Sequence, residues 1–176
     1  AVGLLGTGAG GIAVATSERL RRWPIERLVP ITCFLAGASV LVGYLIIAPT
    51  QLNIAQAVTS PVEIAKLALV SVLLTTTFVL VGIVLSTILG ANAQAANRLY
   101  GADLIGAALG CVIAVPLIWV LTPPRTVMLA GLILAVGGLR LARAPNPLLA
   151  AGVLVVVALA LPVGWGSLLR DPVVAE

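Results

Sequence analysis

Long apolar runs broken by short polar interruptions dominate this chain. The first run, Ala1 to Thr16, is rich in glycine and ends before a charged stretch, Ser17 to Arg27. A second runs from Leu28 to Ala48, and a third from about Val62 to Gly90. A fourth follows the polar linker Asn92 to Ala102 and reaches Leu121. Thr122, Pro123, Pro124 and Arg125 read as a tight turn before a fifth, Thr126 to Leu139, and a sixth runs from Pro147 to about Gly166. A bilayer core needs ~20 helical residues to cross. The first run is about a turn short, the fifth is the weakest span, and the third is long enough to tilt or to leave its first turn outside. The pattern predicts an all-α polytopic membrane bundle of about six helices over residues 1–167. The fifth is the one a re-entrant course would suit. Residues Gln51 to Ser60 are too polar for the bilayer core and too apolar for a free loop, so an interfacial helix is predicted there. Leu168 to Glu176 form a tail or linker.

Composition sharpens this picture. Hydrophobic residues make up 61% of the 176 and charged residues only 9%, against about 25% charged in a soluble domain. The net charge of +4 is carried in short connections between apolar runs, where topology explains it better than nucleic acid does. No basic patch is interleaved with aromatics for base stacking. The expected partners are therefore the lipid bilayer and helices of the same or another membrane protein. Counted on alternate sides, Arg19, Arg21, Arg22, Arg27, Arg98, Arg140 and Arg143 face Lys66, Arg125 and Arg170. The positive-inside rule places the first group in the cytoplasm and the tail outside. The chain begins at Ala1 within an apolar run, which reads as a piece or processed product of something longer. No basic n-region marks a signal peptide.

The candidate chemistry is sparse. With no histidine, the commonest general base and metal ligand are missing. Cys33 and Cys111 lie inside apolar runs, away from the paired spacing that zinc requires. No catalytic, cofactor or metal site is expected. Gly6, Gly8 and Gly11 spell G-x-G-x-x-G. A dinucleotide site would need a strand before the motif and an acidic residue closing a second strand after it. Here a membrane span follows, so close helix packing is the preferred reading. Gly106 and Gly110, extended back by Ala102, form a second small-residue face of the same kind. Glu63 and Lys66, three apart in the first turn of their segment, suit a local ion pair or a buried polar site. Thr75, Thr76 and Thr77 can bond back to their own helix. Asp103 is expected to open the fourth helix, either capping its free N–H groups or pairing with Arg98.

The stretch Asn97-Arg98-Leu99-Tyr100-Gly101-Ala102-Asp103-Leu104-Ile105-Gly106-Ala107-Ala108-Leu109-Gly110 resembles a signature of the membrane domain of bacterial spermidine synthase-like proteins. Gly6 to Gly11 is similar to an early helix of that domain. Arg170 to Glu176 resembles the linker into its soluble, aminopropyltransferase-like part. Gly101 stands where the family has alanine. The resemblance implies a non-catalytic anchor or scaffold in the bacterial inner membrane, with Arg98, Tyr100 and Asp103 as its most characteristic residues. It also implies a cytoplasmic downstream domain, which a re-entrant fifth segment would reconcile with the charge count. An accessory subunit of a larger membrane complex, or half of a small-molecule transporter, is the alternative function.

Overall fold

The computed structural model describes residues 2–48, 61–142 and 146–164. The interfacial helix predicted for Gln51 to Ser60 and the tail lie outside these residues, as do Arg143, Trp165 and Arg170.

Among the described residues the chain is helical: α1 Val2–Thr16, α2 Glu18–Arg22, α3 Ile25–Ile47, α4 Pro61–Ala91, α5 Ala96–Leu121, α6 Pro123–Leu141 and α7 Asn146–Gly164. Four of these, α3, α4, α5 and α6, are long and apolar enough to cross a membrane, whereas α1 and the apolar stretch Leu149–Val163 of α7 are shorter. The breaks follow local chemistry. The Ser17 side chain accepts the Leu20 N–H and starts α2, a serine N-cap. Trp23 and Pro24 are extended, as the residue before a proline tends to be, and α3 starts directly after them.

The fifth segment is longer than the sequence suggested. Pro123, Pro124 and Arg125 are not a turn but the first turn of α6, which reaches 19 residues. Proline suits a helix start because its φ is already helical and it has no N–H to leave unpaired. The reversal is confined to Thr122, which has φ 69° and ψ 153°, an unusual conformation for a β-branched residue. The polar linker of the fourth segment is also mostly helical. A 3-10 turn at Ala93–Ala95 leads straight into α5 at Ala96.

Helix α3 lies at the centre, packed against α4, α6 and α7, while α1 packs on α4 and α6 on α7. Neighbouring residues across the helix pairs give the directions. Gly3 sits beside Phe78 and Gly11 beside Ser86, so α1 and α4 run parallel. Gly138 sits by Cys33 and Gly131 by Val40, so α3 and α6 are antiparallel. Ser39 meets Thr77 and Gly43 meets Leu73, so α3 and α4 are antiparallel as well. Gly152 lies by Phe34 and Leu159 by Gly37, which sets α7 parallel to α3. One end of the bundle therefore collects Arg19, Arg21, Arg22, Arg27, Arg98 and Arg140. The other end holds Lys66 and Arg125.

Two tight contacts hold these helices. Met128, Ala135 and Leu159 have no exposed surface, and Val40, Tyr44 and Val155 pack around them. Glycine brings backbones together between α1 and α4. A methyl group added to Gly82 would lie 2.7 Å from Thr7 Cα and collide with the Thr7 carbonyl oxygen, and one on Gly10 would collide with the Val79 carbonyl oxygen. Lipid is as apolar as leucine, so such van der Waals contact, rather than water exclusion, holds membrane helices together.

Candidate intramembrane site

The helix centred in the bundle and the longest helix meet through hydroxyl groups. Ser39 on α3 and Thr77 on α4 share a hydrogen bond of 2.9 Å. The two hydroxyl protons have three acceptors within reach: Ser39 donates to the Ala36 carbonyl at 2.8 Å while Thr77 donates to Ser39, or Ser39 donates to Thr77 while Thr77 donates to the Leu73 carbonyl at 3.4 Å. Thr75 and Thr76 bond only back, to the Ser71 and Val72 carbonyls at 2.6 and 2.9 Å. Thr77 thus departs from its neighbours by reaching another helix. Ser39 and Thr77 both lie towards the middle of their helices.

They line a cavity of about 660 Å³ between α3, α4 and α6. Its walls are otherwise mostly apolar, with Leu74, Phe78, Val127 and Leu134 prominent, and Tyr44 stands towards one end. The size falls within the ~300–1,000 Å³ of small-molecule sites. Neither Ser39 nor Gly43 stood out in the sequence. A lone serine in an apolar run has a sufficient partner in its own helix. Only the α3–α4 register shows that it has a second.

At the Tyr44 end, Lys66 Nζ lies 2.7 Å from Glu63 Oε1. Glu63 is buried and Lys66 partly so. The pair occupies the start of α4, beyond the last residues of α3 in the antiparallel register.

The other predicted site residues are dispersed. Helix α1 runs unbroken through the G-x-G-x-x-G stretch, so there is no strand-to-helix loop to cradle a phosphate. Its packing face is Gly3, Gly6 and Gly10 rather than the motif's own spacing. Gly6 and Gly10 are buried against α4, Gly11 touches only the Ser86 hydroxyl, and Gly8 meets nothing within 4 Å. The reason is helical periodicity: Gly8 lies well round the helix from a face repeating at three and four residues. Gly106 and Gly110 likewise meet nothing within 4 Å in this chain, and α5 has no buried residue.

Asp103 does not open a helix. It is the eighth residue of α5, and the residue preceding that helix is Ala95, which provides no side-chain cap. The backbone N–H groups around Asp103 already have partners one turn back. Nor does it pair with Arg98. Five residues place the two side chains about 140° apart around the helix, and both are exposed with no ion pair between them. Tyr100 is 56% exposed. The expected consequence is that Asp103→Leu leaves the thermal stability of the purified chain within about 0.5 kcal/mol. A penalty of about 1–3 kcal/mol, the cost of a lost buried polar partner, would return a capping or pairing role to this carboxylate.

Cys33 is buried and Cys111 exposed, both as free thiols. Among the described residues no three His, Cys, Asp or Glu side chains gather as a metal site would require. Comparison with protein families, curated proteins and solved structures finds no match to this chain.

Proposed function

We propose that this chain is a non-catalytic membrane scaffold, the helical part to which another membrane helix or a soluble enzyme domain is attached. The observation that carries it is α5. This helix has 26 residues, no buried side chain and an open small-residue face at Gly106 and Gly110. The rest of the bundle is tied by close backbone contact, so it offers a firm platform for such a helix. The resemblance of Asn97 to Gly110 to the membrane domain of spermidine synthase-like proteins supports the same reading. So does the exposure of Arg98, Tyr100 and Asp103 on one open helix. In this reading α3, α4, α5 and α6 cross the bacterial inner membrane, and because α7 ends at the Lys66 and Arg125 end of the bundle, opposite the Arg-rich connections, the attached part is another membrane helix or a soluble domain on that face. The parallel contact of α7 with α3, through Gly152 beside Phe34 and Leu159 beside Gly37, supports a crossing course for α7 as well.

Native purification tests it. The complex extracted from its own membrane should carry mass beyond the 17.8 kDa of this sequence, as a fused domain or a bound subunit. Gly106→Leu should release a bound subunit, because the larger side chain holds the helices apart. A complex unchanged by Gly106→Leu and Gly110→Leu together would remove α5 as the attachment face.

The hydroxyl pair favours a second reading, half of a small-molecule transporter. Polar groups towards the middle of membrane helices, beside an open cavity, are what a transport path uses. Under that reading, Ser39→Ala with Thr77→Val abolishes uptake while costing little stability, since interhelical hydrogen bonds in membranes average about 0.6 kcal/mol. Under the scaffold reading the pair contributes only that small term.

A further inference from the structure

Arginine is unevenly placed in this bundle, and most of it at one end lacks a carboxylate partner. The connection from α1 through α2 into α3 carries Arg19, Arg21, Arg22 and Arg27, all exposed. Helix α6 runs antiparallel to α3, with Gly138 beside Cys33. That register brings Arg140, also exposed, level with Ile31 of α3, about one turn along the axis from Arg27. The same connection holds only two acids, Glu18 and Glu26. Glu18 is taken by Arg22 at 3.2 Å. Among the described residues, Arg19, Arg21, Arg27 and Arg140 have no carboxylate within 4 Å. The opposite end differs. There Lys66 is taken by Glu63, and Arg125 is half-buried.

A guanidinium is always charged, and its planar fork of donors matches a phosphate. The source of that phosphate follows from what surrounds the arginines. Helices α3 and α6 are long and apolar enough to cross a membrane, and a crossing helix delivers its terminal turns to the headgroups. Arg27 lies in the first turn of α3 and Arg140 in the last turn of α6. Trp23, between α2 and α3, is 51% exposed. An indole, apolar over most of its surface with one N–H, favours the same boundary. A nucleic acid would want several aromatics to stack on, and Trp23 is the one aromatic residue between Ser17 and Arg27. A lipid phosphodiester is the phosphate that such a place presents at high local concentration. A zwitterionic headgroup carries its own cation and largely cancels the attraction, whereas an anionic headgroup does not.

We infer that the α1–α2–α3 connection and Arg140 form a binding surface for the headgroups of anionic phospholipids, selecting them over zwitterionic ones in the leaflet at that end of the bundle. The surface shares with the scaffold reading only the crossing of the membrane, and its residues lie outside α5.

The test is native mass spectrometry of the full chain in mild detergent, with palmitoyl-oleoyl phosphatidylglycerol and the phosphatidylcholine of the same chains added in equal amounts. The unaltered protein should retain phosphatidylglycerol at least about fivefold over phosphatidylcholine, the factor expected of one arginine at an anionic surface. Arg19→Gln, Arg21→Gln and Arg27→Gln together should bring the two lipids close to equality. Arg19→Lys, Arg21→Lys and Arg27→Lys together should keep the preference, as should Arg125→Gln at the opposite end. Equal retention of the two lipids by the unaltered protein would overturn the surface. So would a preference that survives the glutamine variant or is lost in the lysine variant, because charge at these positions would then not be what the lipid meets. Displacement of the lipid by millimolar inorganic phosphate at matched ionic strength would overturn it in favour of a soluble anion. Release of an acidic subunit from the native complex by the glutamine variant alone would overturn it in favour of a protein partner.

Discussion

Gly82→Leu should separate α1 from α4 and produce a large loss of thermal stability. The reason lies in what the new side chain meets. Even the first carbon falls 2.7 Å from Thr7 Cα and against the Thr7 carbonyl. Those are backbone atoms, which cannot rotate aside as a side-chain terminus can. The helix must move as a body, and the neighbouring contacts at Gly6 and Gly10 move with it. Overpacking a well-filled interior costs about 1–3 kcal/mol and sometimes more, and here three close contacts are lost together. Gly8→Leu is the matched control. It places the same side chain on the same helix pair but into open space, so the melting temperature in detergent should not change. Equal losses from the two variants would mean that close approach of α1 and α4 contributes nothing.

The second large effect is expected at Leu159. This side chain on α7 has no exposed surface and packs with Met128 and Ala135, while Leu154 on the same helix is 70% exposed. In a soluble protein Leu→Ala in a core costs about 2–5 kcal/mol, part from transfer to water and part from the cavity left behind. In a bilayer the transfer part largely vanishes, because the alternative environment is also hydrocarbon. The cavity part remains, since an enclosed hole has no lipid to fill it. Leu159→Ala should therefore cost about 2 kcal/mol, the low end of that range. Leu154→Ala should stay within about 0.5 kcal/mol. Chemical denaturation of both variants in one detergent measures the difference. Indistinguishable curves would show that α7 is not packed through this face.

Both forecasts depend on faces, and helical faces are where sequence and structure part company in this protein. The pattern established the apolar helical class, because 61% hydrophobic residues gathered in long unbroken runs suit membrane helices, whereas the strands of a membrane barrel alternate apolar and polar positions. The runs, the Arg-rich interruptions and the helical course of the Gly6 to Gly11 stretch were legible. So was the ability of Thr75 and Thr76 to bond within their own helix, since that involves only residues four apart. The helix boundaries near Pro123 and Asp103 were less so. Polar residues there suggested turns, yet the backbone continued as helix, because one polar side chain on an apolar helix does not break its hydrogen-bond ladder.

What only the tertiary structure decided is which side of each helix meets another. In a soluble helix the apolar stripe marks the buried face. Here nearly every position is apolar, so no stripe exists to read. Glycines are distributed through the chain, and sequence spacing selected Gly8, Gly106 and Gly110 as readily as Gly6. Close approach selected Gly6, Gly10 and Gly82 instead. The pairing of Ser39 with Thr77, and the cavity beside them, depend on the relative register of α3 and α4. Lipid solvates an apolar helix equally well on all sides, so the sequence determines that these helices lie in the membrane, and the shape of their contacting backbones determines how they fit together.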